Sequence, residues 1–289
     1  MIGAMPDIGL SLLLFAIALA CGALGGALGM AGGIFLVPAL TILTGLPLHT
    51  AIGASLVAVI ACSCSSAPSL LEARMANIRL AVVLEVATTL GALTGVLITG
   101  ILPTTALSAL FALVLAVSAF QVQRRRGQDL AAALPAPARS FPGLSSSYPD
   151  PERGEIAYHV DRLSFGVVLM YGAGVLSALL GIGSGVLKIP AMDSALRLPI
   201  KVSSATSNVM IGVTGAASAG IYFLRGDIDA PIAGPVALGS VFGAILGARL
   251  LVRFSNERSR TLLIGVLLLL AAVMATDAIG IGSLAGGGG

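Results

Sequence analysis

A glycine-rich interruption that also carries a lysine is the stretch of this sequence with the clearest chemical potential. Between Gly181 and Pro190, an otherwise apolar segment contains three glycines, the hydroxyl of Ser184 and the ammonium of Lys188. Glycine and proline disrupt continuous helix. A helix that begins after such an interruption directs free backbone N–H groups and a partial positive charge at whatever precedes it. The pattern is therefore typical of an anion-binding site.

The same pattern occurs 152 residues earlier, from Gly29 to Pro38. At this offset Lys188 corresponds to Leu36, so the charge is present in one copy of the pattern. A buried ammonium is costly unless it is paired. A substrate anion would supply the partner, and the alternatives are a pair with Asp193 or a side chain that extends to the membrane surface.

The backbone of the two glycine segments forms the predicted substrate cradle. Its members are mostly small residues, which allow a ligand to approach the main chain closely. They are Gly29, Ala31, Gly32, Gly33, Gly181, Gly183, Ser184 and Gly185. The alternative role for these glycines is close packing between helices.

Polar residues near the start of the next predicted helix in each half are further candidates. Ser207 and Asn208 follow Lys201 in a run of hydroxyls, and Ser55 is the counterpart of Ser207. Such groups bind oxyanion oxygens as neutral donors, or they connect helices by hydrogen bonds. His49 and Lys201 are also counterparts. They are predicted to attract an anion to an entrance or gate, and the alternative is a cation at a helix end.

Two remaining groups have simpler interpretations. Glu85 could carry a coupling proton, but a pair with Arg79 is the favoured interpretation. Cys62 and Cys64 could meet a sulfur-containing substrate, although buried cysteine usually only packs. The sequence contains no cluster with metal-ligand spacing and no nucleophile beside a base. We therefore predict that the protein is not an enzyme and needs no metal or other cofactor.

Composition predicts the surroundings of these residues. The chain has 289 residues, of which 57% are hydrophobic and 10% are charged, against about 25% charged in soluble domains. Several apolar runs reach the roughly 20 residues that cross a bilayer as helix. We predict an all-α polytopic protein of the inner or plasma membrane, in contact with lipid. Its basic residues lie in loops and do not indicate nucleic-acid binding.

The offset of 152 residues extends far beyond the glycine segments and predicts an internal repeat. It pairs Pro47 with Pro199 and Gly91 with Gly243. We predict a first transmembrane repeat at 1–122, a flexible cytoplasmic linker at 123–161 and a second repeat at 162–289. The linker is rich in proline, and its Tyr148 and Tyr158 are interpreted as ordinary linker residues.

Loop charges predict that the two repeats are inverted. Arg74 and Arg79 mark one turn of the first half, whereas Arg253, Arg258 and Arg260 mark the following turn of the second. Positive loops prefer the cytoplasm. Five helices in each half then give ten, with both termini outside and the glycine breaks near the midplane. The short helix after each break spans only about 18 Å, so it either crosses or stops partway.

The two glycine segments resemble those of the sulfite/sulfonate exporter family (TauE/SafE-like membrane transporters). Many members have three consecutive glycines, and here Ala31 and Ser184 each replace one of them. The resemblance implies secondary transport of small sulfur-containing anions such as sulfite or organosulfonates. It also implies an ion gradient as the driving force, with a proton or sodium as the coupling ion.

The sequence thus predicts an exporter that binds a small oxyanion between the two glycine breaks. A cation transporter or channel is one alternative, in which backbone carbonyls face the site. A membrane partner subunit that does not transport, with the linker as its interaction surface, is the other.

Overall fold

The described residues form a bundle of α-helices and a β-hairpin. In this computed structural model the described residues are 8–28, 32–99, 101–124, 143–150, 154–181, 185–251 and, further on, 265, 268–269, 271–273 and 275. The elements in chain order are α1 Ile8–Leu28, α2 Gly33–Thr44, α3 Leu48–Glu72, α4 Ile78–Thr99, α5 Thr104–Arg124, β1 Ser146–Asp150, β2 Gly154–Tyr158, α6 Leu163–Leu180, α7 Gly185–Leu196, α8 Ile200–Leu224 and α9 Ala230–Leu251. Among these residues, five helices (α1, α3, α4, α6 and α8) are long and apolar enough to cross a membrane. The prediction of a mostly helical, multi-pass membrane protein is confirmed.

Three helix ends fall at glycines in the left-handed conformation. Gly32 precedes α2 with φ 69°, Gly45 follows it with φ 67°, and Gly181 follows α6 with φ 65°. This conformation is strained for residues with a Cβ. Gly181 also packs closely, because a Cβ there would lie 2.8 Å from Cγ2 of Ile52 on α3. The chain can therefore turn here only with glycine.

The helices recur at a constant spacing. α2, α3 and α4 return as α7, α8 and α9, each 152 residues later and with the same lengths of 12, 25 and 22 residues. Their packing recurs as well, since α1 lies along α9 and α4 lies along α6. Each half therefore places its fourth helix on the first helix of the other half.

Matching glycines allow these two helix pairs to approach closely. A Cβ on Gly91 of α4 would overlap the backbone carbonyl of Tyr171 on α6, and a Cβ on Gly243 of α9 would overlap that of Leu19 on α1. Small residues at helix crossings are typical of membrane bundles. These two glycines therefore serve close packing between helices. That was the alternative role considered for the glycines of the two glycine segments.

The contacts of α8 fix its direction relative to α3. Ser63 on α3 donates to the backbone oxygen of Asn208 (2.6 Å) and accepts from the N–H of Gly212 (3.1 Å). Further along α8, Gly215 faces Ile60. Higher numbers on one helix meet lower numbers on the other, so α3 and α8 run antiparallel.

Relative to α4, α8 runs parallel. The N–H of Asn77, just before α4, donates to Thr206 at 3.0 Å. Eight residues further along each helix, Thr214 donates to Glu85. Eight residues rise about 12 Å in a helix. The second contact therefore lies about 12 Å deeper in the bundle than the first.

Part of the predicted linker folds as an antiparallel hairpin, in which Ser146 pairs with Tyr158. Tyr148 and Tyr158 are buried, with ring centroids 6.4 Å apart. Asn77 donates to the hydroxyl of Tyr158 (3.0 Å) and to the carbonyl of Leu144 (2.8 Å). Burial raises the pKa of Tyr158, partly offset by hydrogen bonds with Asn77 and Ser146. Both tyrosines therefore pack in a folded part of the segment between α5 and α6, and a short strand pair accompanies the mostly helical fold.

Candidate functional site

A buried ion pair joins the two halves of the molecule. Nζ of Lys188, in the first turn of α7, lies 3.2 Å from Oε2 of Glu85 on α4 and donates to Oγ1 of Thr214 on α8 at 2.6 Å. Thr214 in turn donates to Oε1 of Glu85. The Lys188 side chain is 0% exposed and that of Glu85 is 11% exposed. A charge pair of this kind is stable in a low-dielectric interior only with its partners in place.

Two more hydroxyls complete the surroundings of the carboxylate. Thr89 donates to Oε1 of Glu85 at 3.2 Å, and Thr88 lies 3.4 Å from Oε2 while it also donates to the carbonyl of Leu84 at 2.7 Å. Each carboxylate oxygen thus has two neighbouring donors. We call Glu85, Lys188, Thr214, Thr88 and Thr89 the charged cluster.

The charged cluster corrects two predictions. Glu85 was expected to pair with Arg79, but Arg79 is exposed and the carboxylate contacts Lys188 instead. Asp193 was the alternative protein partner of Lys188, and that role belongs to Glu85. The sequence signal that points to this site is the pair of threonines three and four residues after Glu85, which places hydroxyls on the same helix face. Thr214 had no such local signal.

Counterparts of the charged cluster in the other half carry no charge. At the offset of 152 residues, Lys188 corresponds to Leu36, Glu85 to Ala237 and Thr214 to Cys62. Leu36 is 1% exposed and belongs to the apolar core. The thiol of Cys62 donates to the carbonyl of Ser240 at 3.3 Å. The alternative that Cys62 packs as a buried residue is therefore the one that the structure describes.

Ser55 connects the glycine segments of the two halves. Its hydroxyl donates to the carbonyl of Gly181 at 2.9 Å and lies 3.5 Å from the carbonyl of Gly33. The end of α6 and the start of α2 therefore meet at one buried side chain. The hydrogen of this hydroxyl is already used, so Ser55 holds the segments together here and has no free donor for an anion.

On α8 the structure leaves three buried polar atoms without a partner among the described residues. They are Oγ of Ser203, Oγ of Ser207 and Oδ1 of Asn208. The first two residues are 0% exposed and Asn208 is 9% exposed. An unsatisfied buried polar group costs about 1–3 kcal/mol. Two of the three residues, Ser207 and Asn208, are predicted ligands.

The remaining predicted positions are only partly described. Gly32 packs against α1, because a Cβ there would lie 2.9 Å from the carbonyl of Cys21, and Gly185 is the first residue of α7. His49 and Lys201 are the second residues of α3 and α8, and His49 is half-buried. Outside the described residues lie Gly29, Ala31, Gly183, Ser184 and the side chain of Lys201.

Helices that cross a membrane, with a charged cluster and unpartnered hydroxyls between them, are the features of a membrane transporter. Comparison with known proteins agrees. Residues 14–274 match the family described as Sulfite exporter TauE/SafE, and the chain belongs to this family. The protein is therefore a membrane transporter, which acts on a small molecule and lies in a lipid bilayer.

A curated relative supports the same class. The probable membrane transporter protein YunE of Bacillus subtilis (strain 168) is 24% identical over 243 residues, which cover 82% of this chain and 86% of the relative. No solved structure matches the chain.

Proposed function

We propose that the protein is a secondary transporter that exports small sulfur-containing oxyanions, such as sulfite or organosulfonates, across the cell membrane. The observation that carries the proposal is the fully buried Lys188, which lies in the first turn of a helix within a family of sulfite exporters. Intramembrane ionisable groups usually serve function because they are expensive to bury. The family supports the sulfur-containing substrate class, and the lysine supports an anion.

The charges around Lys188 favour an anion over a cation. The nearby carboxylate of Glu85 is neutralised by Lys188, and the start of α7 adds a partial positive charge. Ser207 has an unpartnered hydroxyl on α8, the helix that also supplies Thr214 to the cluster. An oxyanion accepts hydrogen bonds from each of these groups. The predicted ligands supported by these contacts are Lys188, Ser207 and the backbone of the glycine segments. The unpartnered atom of Asn208 is Oδ1, which accepts hydrogen bonds and has none to donate to an oxyanion.

The transport movement would rely on two inverted repeats, 1–122 and 162–289. Two observations support inversion: α3 and α8 hold equivalent positions but run antiparallel, and each half packs its fourth helix on the first helix of the other. Inverted repeats with broken helices at their interface are common among secondary transporters. The halves would rock about the glycine segments, with both termini outside and the linker in the cytoplasm.

A binding experiment tests the proposal. Purified protein is titrated with sulfite, an alkylsulfonate, a carboxylate and sodium, and the thermal unfolding midpoint is recorded. We expect stabilisation by the sulfur oxyanions. The double variant Lys188→Met/Glu85→Gln removes both charges without leaving one unpaired, and it should weaken anion binding about 10- to 100-fold, as expected for loss of a charge-assisted hydrogen bond.

The matched control is Leu36→Met, at the counterpart of Lys188. It should leave the anion response unchanged, because this position is apolar. Equal anion stabilisation of the double variant and the wild type would contradict the role of Lys188. Stabilisation by sodium alone would favour the cation transporter.

A further inference from the structure

We propose that Glu85 takes up a proton when a substrate anion binds beside Lys188, so that each binding event takes up about one proton. The inference rests on the proposed function and identifies an ion that binds together with the substrate. It starts from the contacts of Lys188, whose ammonium touches one carboxylate and one hydroxyl. Glu85 thus occupies the place of an anion at Lys188 in this structure.

Within the two helices that carry the pair, other charges are distant or engaged. Arg79 is exposed and lies six residues before Glu85, about 9 Å along α4. Asp193 lies five residues after Lys188, about 7.5 Å along α7, and it has interactions of its own. Arg79 is therefore too distant to neutralise an added anion at the pair, and Asp193, as an acidic residue, cannot do so.

The helices packed against the pair add no charge near it. The only titratable side chain of α6 is Tyr171, whose hydroxyl lies 3.1 Å from Oγ1 of Thr94. The charged residue of α8 is Lys201, thirteen residues before Thr214 and about 20 Å from it along the helix. On α5 the charge is Arg124, its last residue. Among the described residues, no further charge is therefore placed to balance that of the cluster.

Charge balance then links the anion to a proton. Lys188 and Glu85 together are neutral, so an added anion would give the buried cluster a net negative charge, which a low-dielectric environment opposes. Transfer of a proton from hydronium to the Glu85 carboxylate gives a neutral carboxylic acid and water. Lys188 keeps its proton and pairs with the substrate. When the anion leaves, Glu85 releases the proton and pairs with Lys188 again.

The hydroxyl of Thr214 fits both states. With Glu85 ionised it donates to Oε1, as in this structure. With Glu85 protonated, the carboxylic acid donates to the Thr214 oxygen, and the threonine hydroxyl turns to the carbonyl of Met210, which already lies 3.2 Å away. Hydroxyls make this exchange easily because they rotate and both donate and accept. The Thr214 hydroxyl and the Glu85 carboxyl group are therefore paired in both states.

The test measures protons taken up as the anion binds. The probe is methanesulfonate, which stays singly charged across the pH range used, whereas sulfite itself takes up protons. Titrations of the full-length protein by calorimetry, in two buffers of different ionisation enthalpy, give the number of protons per bound anion. We expect about one proton, and affinity that rises about tenfold for each unit of falling pH.

Two variants sharpen the test. Glu85→Gln mimics the protonated acid, so it should bind the anion with no proton uptake and no pH dependence. Glu72→Gln removes an exposed carboxylate at the end of α3, and it should behave like the wild type. If Glu85→Gln does not fold, the absence of proton uptake by the wild type would still overturn the proposal.

Anion binding to the wild type without proton uptake would overturn the role of Glu85 and leave the proposed function standing. Proton uptake that persists in Glu85→Gln would do the same. Failure of the wild type to bind methanesulfonate or sulfite at any pH would overturn both proposals together.

Discussion

Lys188 and Leu36 occupy the fourth positions of two helices, α7 and α2, that have the same length and follow glycine segments of the same pattern. Both side chains are buried. Lys188 contacts one carboxylate and one threonine hydroxyl, whereas the counterpart of Glu85 is Ala237. The same backbone therefore supports an ionic site in one half and apolar packing in the other. The two halves thus share a backbone arrangement and differ in the chemistry of their buried side chains.

The largest expected effect comes from moving the charge to the apolar half. Leu36→Lys buries an ammonium with no carboxylate nearby, which should cost about 5 kcal/mol of stability. Adding Ala237→Glu supplies the missing partner and should recover part of the loss. Denaturation of the purified variants in detergent measures both effects. Equal stability of Leu36→Lys and the wild type would show that this half is not as apolar as its packing indicates.

Removing the charge from the ionic half should have the next largest effect. Lys188→Met leaves Glu85 buried without its cation and should cost about 3 kcal/mol, whereas Lys188→Met/Glu85→Gln should be more stable than this single variant. The same denaturation experiment compares them. If the double variant is the less stable one, the two charges do not form a coupled pair.

At positions where the two halves make equivalent contacts, equivalent substitutions should have similar effects on stability. Gly91→Ala and Gly243→Ala each push a Cβ into a backbone carbonyl of the facing helix, so each should cost about 1–3 kcal/mol through overpacking. The two losses should agree closely, unlike the effects at Lys188 and Leu36. Gly234→Ala, with open space around its Cβ position, is the control in α9 and should lose much less.

The smallest expected effect on stability comes from a substitution in the hairpin. Tyr158→Phe removes the hydroxyl that accepts from Asn77 and should cost about 1 kcal/mol. Because the folded protein raises the pKa of Tyr158, ionisation favours the unfolded chain, and stability of the wild type should fall as pH rises above about 10. Thermal unfolding from pH 8 to 11 should show a shallower decline for Tyr158→Phe.

Sequence patterns predicted the elements better than their contacts. Apolar runs and the 152-residue offset predicted α2, α3 and α4 and their counterparts, because helices in membranes follow local hydropathy. The partner of Lys188 was missed because Glu85 lies 103 residues away and becomes adjacent only when α4 and α7 both pack against α8. The hairpin was missed because prolines and charges between apolar runs indicate a loop, and its burial depends on Asn77, distant in sequence.

The Ser63 hydroxyl, inserted between the carbonyl of Asn208 and the N–H of Gly212, has a mechanical consequence. A helical turn whose backbone hydrogen-bonding groups also bind a side chain of another helix bends more easily than the adjacent turns. Thr214, two residues beyond Gly212, contacts both charges of the ion pair. We therefore expect α8 to bend at this point, and the bend would shift Thr214 relative to the ion pair. Ser63→Ala should slow amide exchange at Gly212, and unchanged exchange would show that the turn is already stiff.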